Sequence, residues 1–370
     1  MQIDFHHTVI YVLARLADFS REDAALIAHA SQYVDDAVNA GTIRFDNKAL
    51  YHRIASAHKM LDYRNFKELA NARVWVPFHF LPGNEVRDED RDLVSDYVQR
   101  LICRPNSSIA QQMMRNCIAD QDSPHALYRL GISLHTYVDT WAHQGFAGLD
   151  HEVNHVREIL DWSGAYDEEK MAYVQKFFGR NIFERFRDRV VSLFVSEVAP
   201  VGHGAVLGFP DRPYLRWKYR DWRGRLIERD NPRDFMDAAD HAFTMLKAYK
   251  RGKWMDHCDL IPSPDRELID HLLSSIALPD GRERHYSWLQ AIREGKFSFG
   301  PETISYEAKG HGSWKHQALG TAKAFDDHDD IFAYNYGFLQ SHWKLFHDAL
   351  LHHRYVILHE LLAAEEICAA

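Results

Sequence analysis

Cysteine is scarce and scattered. The 370 residues hold four, Cys103, Cys117, Cys258 and Cys368, with no CxxC pair among them. That excludes a thiolate zinc knuckle and argues against a disulfide framework. No apolar run reaches the ~18 residues that a membrane-crossing helix needs. The opening MQIDFHHTVIYVLARLADF has no basic n-region and no small-residue cleavage site, so no export signal is read and a cytoplasmic protein is expected. A cationic surplus is also absent. The formal net charge of −9 does not favour nucleic acid or an anionic membrane surface, and no stable nucleic-acid binding is expected. Phosphate-cradling GxGxxG and GxxxxGK[ST] loops are missing, as are serine and cysteine nucleophile elbows. No fixed-period repeat or low-complexity linker divides the chain.

What the chain does have is histidine, 24 residues of it, and helical periodicity. Val9, Val12, Leu13 and Leu16 mark one face of a first helix. Ser20 is the expected N-cap of a second, running through Val34 to a stop at Gly41. Residues 47–71 read as one or two polar-faced helices. VWVPFHFLPGN, with Pro77, Pro82 and Gly83, reads as an ordered aromatic loop. Further helices are expected over 90–103, 107–118, 124–143 and 150–198. Residues 214–230, which alternate aromatic and charged side chains about Arg223-Gly224, read as a hairpin. Helices follow over 232–250 and 264–276, then a Gly-rich aromatic segment over 280–315 and a long closing helix over 329–364. The fold expected is all-α, a multi-helical bundle with one small β-hairpin insertion. It would be a single domain over 1–370, with its core in 1–215 and an elaboration over 216–370.

The strongest chemical signal is LGISLHTYVDTWAHQGFAG. His135, Asp139 and His143 stand at i, i+4 and i+8, and each four-residue step drifts only ~40° around a helix. All three therefore share one stripe. Leu130, Ile132, Leu134, Tyr137, Val138 and Trp141 make the rest of that helix apolar, so it is expected to be buried. A buried aspartate flanked by histidines needs partners. A divalent metal is one answer and a hydrogen-bonded core network is the other. The outer residues are separated by ~12 Å of helical rise, so they suit two neighbouring ions with Asp139 between them.

Such a site must recruit ligands from elsewhere. Asp4, His6 and His7 precede the first helix, where the alternative is a frayed, solvated terminus. Asp35 and Asp36 end the second helix, where paired acids oppose the dipole and call for compensation. His79 lies between Phe78 and Phe80. His203 lies between glycines, and Asp211 follows in the same loop. The run Asp326, Asp327, His328, Asp329, Asp330 reads as a solvated helix start, and His352, His353 and His359 as surface or packing histidines.

His135-x3-Asp139 followed by a third histidine resembles the core motif of zinc-dependent phospholipase C, whose fold is shared with the single-strand-specific nucleases. The resemblance covers mainly residues 1–215. It implies an all-helical protein with three clustered zinc ions. One site would be formed by Asp35 or Asp36, His79, His135 and Asp139. A second would use the amino-terminal residue and a nearby histidine, which maps onto His6 or His7 with Asp139, with Asp4 as a candidate stand-in. A third would use His143, His203 and Asp211. The chain departs from that family in opening MQID rather than with a tryptophan, in its shorter Asp139–His143 spacing, and in lacking a downstream His-x3-Glu. It resembles more closely an uncharacterised bacterial family with the same opening and the same HxxxDxxxHQGF segment.

The function expected is a metal-dependent hydrolase, phospholipase C-like or nuclease-like, in which a metal-activated water attacks a small-molecule or lipid phosphoester. Asp35 or Asp36 would orient that water. Two or three zinc ions are expected, and His/Asp ligation also admits iron, manganese or nickel. Trp75, Phe78, Phe80 and Trp141 are candidates to shape a pocket for a lipid or a base. The alternative is a non-catalytic helical protein with a structural metal site.

Overall fold

A computed structural model describes residues 1–58, 69, 72–88, 93–165, 167, 202, 206–327 and 329–368. Its spine is the helix Ala126–Ala142, in which all but one residue is buried. The chain reaches it through a π-helical turn, Asp4–Val9, that runs into α1 (Ile10–Leu16), and then through α2 (Arg21–Asp36), capped by the Ser20 hydroxyl. α3 (Trp75–Phe78), α4 (Asp96–Leu101) and α5 (Ser108–Ala119) precede the spine, which is α6. α7 (Asn231–Arg251), α8 (Ser263–Ser275), α9 (Gly281–Arg293), α10 (Trp314–Leu319) and α11 (His342–Tyr355) follow. α2, α5, α7 and α11 all pack on α6.

The α2–α6 contact is unusually close, because Gly131 removes a side chain where the two helices cross. A Cβ there would lie 2.4 Å from the Ile27 carbonyl oxygen and 2.8 Å from the Ala30 Cβ. One turn further along, this approach carries the end of α2 to the level of His135.

The all-α expectation is wrong: helices dominate, but two three-stranded sheets are present. In the first, β1 (Gly41–Phe45) pairs antiparallel with β2 (Leu50–Arg53) and parallel with β6 (Ile331–Phe332). Ile43 and Phe45 point inward between exposed Thr42 and Arg44, a two-residue period. Gly41 therefore opens a strand rather than stopping the helix, which already ends at Asp36. Residues 47–53, expected to be helical, form a turn with Lys48 at φ 74° and then β2. Most of 59–71 lies outside the described residues.

The second sheet corrects the isolated hairpin. β4 (Arg216–Asp221) and β5 (Leu226–Asp230) pair as expected, but β3 (Val156–Leu160), from a segment expected to be helical, adds a third strand beside β4. Of the helices expected over 150–198, the part beyond 167 lies outside the described residues. Trp217 and Tyr219 turn inward against Phe80, Phe146 and Phe209, so the hairpin is a packing arm beneath the loops that follow α3 and α6.

Two more expectations change. The 280–315 segment contains α9, capped by the Asp280 side chain. The closing helix is interrupted: β6, a 3-10 turn (Tyr336–Gln340) and α11 succeed one another before a second π-helical turn (Val356–Leu361). Asp326 is not solvated but a buried partner of Arg53 (2.5 Å) and Lys315. His353 is buried and donates to the Pro77 carbonyl (3.0 Å), whereas His359 is exposed.

Candidate metal centre

Asp139 is 1% exposed and five groups crowd its two oxygens. The Met1 amine donates to Oδ1 at 2.5 Å, and His6 Nε2 lies 3.1 Å from the same oxygen. Oδ2 has His79 Nδ1 and His135 Nε2 at 3.3 Å each and His143 Nδ1 at 3.7 Å. Asp35 Oδ1 completes this side, 3.9 Å from His79 Nδ1 and 3.7 Å from His135 Nε2. Asp211 Oδ1 sits 3.1 Å from the Met1 amine and 3.3 Å from His143 Nε2.

Local structure explains each placement. His135, Asp139 and His143 follow from α6 itself. Asp35 is brought in by the Gly131 crossing. The π-helical turn runs back into the core, leaving Met1 5% exposed and His6 fully buried, which overturns a frayed terminus. Asn231 Nδ2 donates to the carbonyls of Phe209 and Arg212 at 2.8 Å each, fixing the loop that carries Asp211. Phe80 stacks on the His143 ring, with centroids 4.5 Å apart.

The histidine tautomers carry the chemistry. A carbonyl oxygen only accepts, so the His79 Nε2–H donates to Ser56 O (2.9 Å) and the His143 Nδ1–H donates to His79 O (2.7 Å). Each ring turns its other nitrogen toward a carboxylate oxygen: His79 Nδ1 toward Asp139 and His143 Nε2 toward Asp211. A nitrogen and a carboxylate oxygen facing each other this way need a proton or a metal cation between them. Carbonyls that hold the far nitrogen of a ring are the usual outer partners of metal-binding histidines.

Charge and spacing agree. Among the described residues, Asp35, Asp139 and Asp211 surround the Met1 ammonium, which they push up to about 11 against the opposing effect of burial. Burial holds the His6 imidazole down at about 4 and that of His135 well below its usual value, so neither supplies positive charge. Burial pushes the Asp35 carboxyl up to about 7, and the neighbouring Asp139 adds to this against the pull of His79. Two buried ring nitrogens, His6 Nδ1 and His135 Nδ1, have no hydrogen-bond partner. Two triads, His6/His135/Asp139 and Asp35/His79/His135, each bring three ligand atoms within 4.8 Å of one another. With His79 Nδ1 also 3.3 Å from His135 Nε2, the five separations among His79, His135, Asp139 and Asp35 lie between 3.3 and 3.9 Å. A tetrahedral zinc with ligands at about 2.0–2.1 Å spaces them by about 3.3–3.4 Å. The residues fit a divalent transition metal.

Other candidates go elsewhere. Asp4 is a buried ion pair with Arg284 (2.5 Å). His7 Nδ1 meets His285 Nε2 at 2.9 Å. Asp36 accepts from Tyr306 (2.6 Å) and Gln32 (3.2 Å), which leaves Asp35 as the member of the pair that joins the cluster. His203 lies outside the described residues. Phe78, Phe80 and Trp141 are packed in the core. The resemblance implied an amino-terminal ligand without assigning it to Met1, and sequence reasoning missed the Ser56 carbonyl, since a backbone group carries no residue-type signal.

A cleft of about 700 Å³ opens beside the cluster, lined by Asp35, Asp36, Arg282, His285, Tyr306 and Lys309 among others. Among the described residues, no helix is long and apolar enough to cross a membrane. No curated protein and no solved structure matches the chain. Residues 1–361 match the family of unknown function DUF6765, and the chain belongs to that family.

Proposed function

We propose that this protein is a metal-dependent hydrolase of phosphoesters that gathers two or three zinc ions, or similar divalent transition metals, around Asp139. The observation that carries the proposal is the pair of histidines, His79 and His143, each anchored to a backbone carbonyl by one ring nitrogen and turning the other toward a carboxylate. The likeness of the ligand order to zinc-dependent phospholipase C supports the same reading.

Divalent cations, when bound, supply Lewis-acid stabilisation of a phosphoryl group and a more acidic water. The chain's own part is to position and to exclude. Ser56 O and His79 O hold two rings in register. Asp35, with a side chain 33% exposed, is the ligand that reaches the cleft, where it can orient a water against a substrate. Arg282 and Lys309 share the cleft wall with Asp35, Asp36, Asp280 and Glu307, so an anionic ester would depend on the metal ions for its charge balance. With Phe78, Phe80 and Trp141 packed in the core and the cleft lined mostly by polar and charged side chains, a polar small-molecule phosphoester fits better than a lipid chain.

A structural role is favoured for one half of the site. Met1, His6 and Asp139 Oδ1 are sealed from solvent, and closed coordination is the mark of a structural ion. The test combines elemental analysis with turnover of a nitrophenyl phosphomonoester and diester, with and without chelator. Bound metal with chelator-sensitive turnover that is lost in Asp35→Asn is expected. Bound metal without turnover would leave only the structural role, and absence of metal would defeat both.

A further inference from the structure

Gln32 lines the wall of the cleft beside Asp35 and Asp36 and is 5% exposed. It stands about one turn before Asp36 on α2. Its Nε2 donates to Asp36 Oδ2 at 3.2 Å and to Asp35 Oδ2 at 3.5 Å. Asp36 Oδ2 also accepts from the Tyr306 phenol at 2.6 Å, so Tyr306 holds in place the carboxylate that holds the amide. An amide oxygen turned toward these acids would be repelled by them, because a carboxylate only accepts. The carboxamide is therefore fixed with its nitrogen toward the acids and its oxygen away from them. That oxygen, Oε1, is buried with no hydrogen-bond partner.

A buried acceptor without a donor is costly in a folded protein and calls for an explanation. The other polar groups of the wall do not share this condition. Gln2, the second amide there, accepts from Arg284 through its own oxygen at 2.7 Å. Asp280 accepts from the Arg282 amide at 2.7 Å as the cap of α9. Gln32 Oε1 is thus a neutral acceptor, fixed in orientation beside Asp35, that lacks a donor.

We propose that Gln32 Oε1 accepts a hydrogen bond from a hydroxyl of the substrate, so that the cleft takes phosphoesters of polyhydroxy alcohols, such as sugar or polyol phosphates, in preference to simple alkyl esters. The inference rests on the reading of this cleft as the substrate side of the Asp139 cluster. A hydroxyl suits the wall better than an ammonium does. Arg282 and Lys309 share it and oppose a cationic substituent. A hydroxyl both donates and accepts, which matches a wall that sets carboxylates beside cations. At about 700 Å³ the cleft is of the size that encloses whole small molecules, with room for a sugar-sized alcohol beside the phosphoryl group.

The experiment is calorimetric titration of the metal-loaded full chain with three phosphonates, in which carbon replaces the ester oxygen so that nothing is hydrolysed: dihydroxybutyl, butyl and aminobutyl phosphonate. The parent should bind the dihydroxybutyl compound about 10- to 100-fold more tightly than the butyl compound, the range expected when a buried acceptor gains or loses its donor. Gln32→Met removes the acceptor at nearly the same shape and should erase that ratio. Gln32→Asn draws the oxygen back by one carbon and carries the test should Gln32→Met fail to fold. A merely structural role for Gln32 would weaken every ligand alike and leave the ratio in place. Equal affinities for the dihydroxybutyl and butyl compounds in the parent, tightest binding of the aminobutyl compound, a ratio preserved in the folded variants, or no saturable binding would each overturn the proposal. Turnover of the nitrophenyl esters is scored separately. Hydroxyl preference without turnover defeats only the hydrolase reading, and turnover without hydroxyl preference defeats only this inference.

Discussion

Asp139→Asn keeps the shape of the side chain and removes the charge that the Met1 amine and four histidines surround. In metal-free protein the ammonium is left with Asp211, 3.1 Å away, as its carboxylate contact. Removing one partner of a buried ion pair costs about 3–5 kcal/mol. An unfolding entropy of about 2.1 cal/mol/K per residue gives the 370-residue chain about 0.8 kcal/mol/K, so the metal-free variant should melt about 4–6 °C below the parent. Metal adds a second, separable difference. Zinc at a thousand times its Kd stabilises the folded state by about 4 kcal/mol per ion, or about 5 °C by the same conversion. Two ions should raise the parent's melting temperature by about 10 °C, and the variant should gain little. Scanning calorimetry of chelator-stripped and zinc-loaded samples, with elemental analysis of each, measures both differences. A parent that melts at the same temperature with and without zinc, or a variant that gains as much as the parent, would refute the reasoning.

The same measurements discriminate among neighbours. Asp36→Asn and Tyr306→Phe should leave metal content unchanged, since Asp36 is held by Tyr306 and Gln32 outside the cluster, whereas Asp35→Asn should lower it. Gly131→Ala should cost about 1–3 kcal/mol by overpacking and also reduce metal content, because the α2–α6 crossing that delivers Asp35 must open; normal metal content would disconnect the crossing from the site. Burial holds the His347 and His353 imidazoles at about 3. Their folded pKa lies below the unfolded value, so the stability they contribute is complete above about pH 6.5 and is lost as the pH falls from there toward 3. At pH 5 each should have cost about 2 kcal/mol relative to neutral pH. Urea unfolding of stripped protein from pH 5 to 8 should show this slope, and His353→Gln should remove about 2 kcal/mol of it.

Some of this was legible in the chain because it is local. The stripe His135, Asp139, His143 follows from helical geometry alone, and the Ser20 cap follows from short-range side-chain bonding. The sheets were not legible for the converse reason. β1 finds β6 nearly 290 residues away, and the five residues of β3 carry too short an alternation to compete with the charged, helix-like composition around them. The choice between Asp35 and Asp36 was equally closed to the sequence. Adjacent residues on a helix differ by about 100° in direction, and Tyr306, which claims Asp36, comes from a distant loop.

The two oxygens of Asp139 give the site its logic on the proposed reading. Oδ1 belongs to the sealed half, with the Met1 amine and His6. Oδ2 belongs to the half that His79 and His135 share with cleft-facing Asp35. A carboxylate serving both halves would couple them: Met1, His6 and Oδ1 would hold an ion on the closed side, and Oδ2 would join His79, His135 and Asp35 in holding one on the open side. The first turn of the chain then has a reason to be packed into the core rather than left in solvent. Its place is held by Arg284, which grips Asp4 through Nε and reaches the Gln2 side-chain oxygen at 2.7 Å. Arg284 lies in α9, within the second half of the chain that sequence alone set apart as an elaboration. Holding the terminus is thus a task of residues far from the ligands, and the site is built by both halves of the sequence.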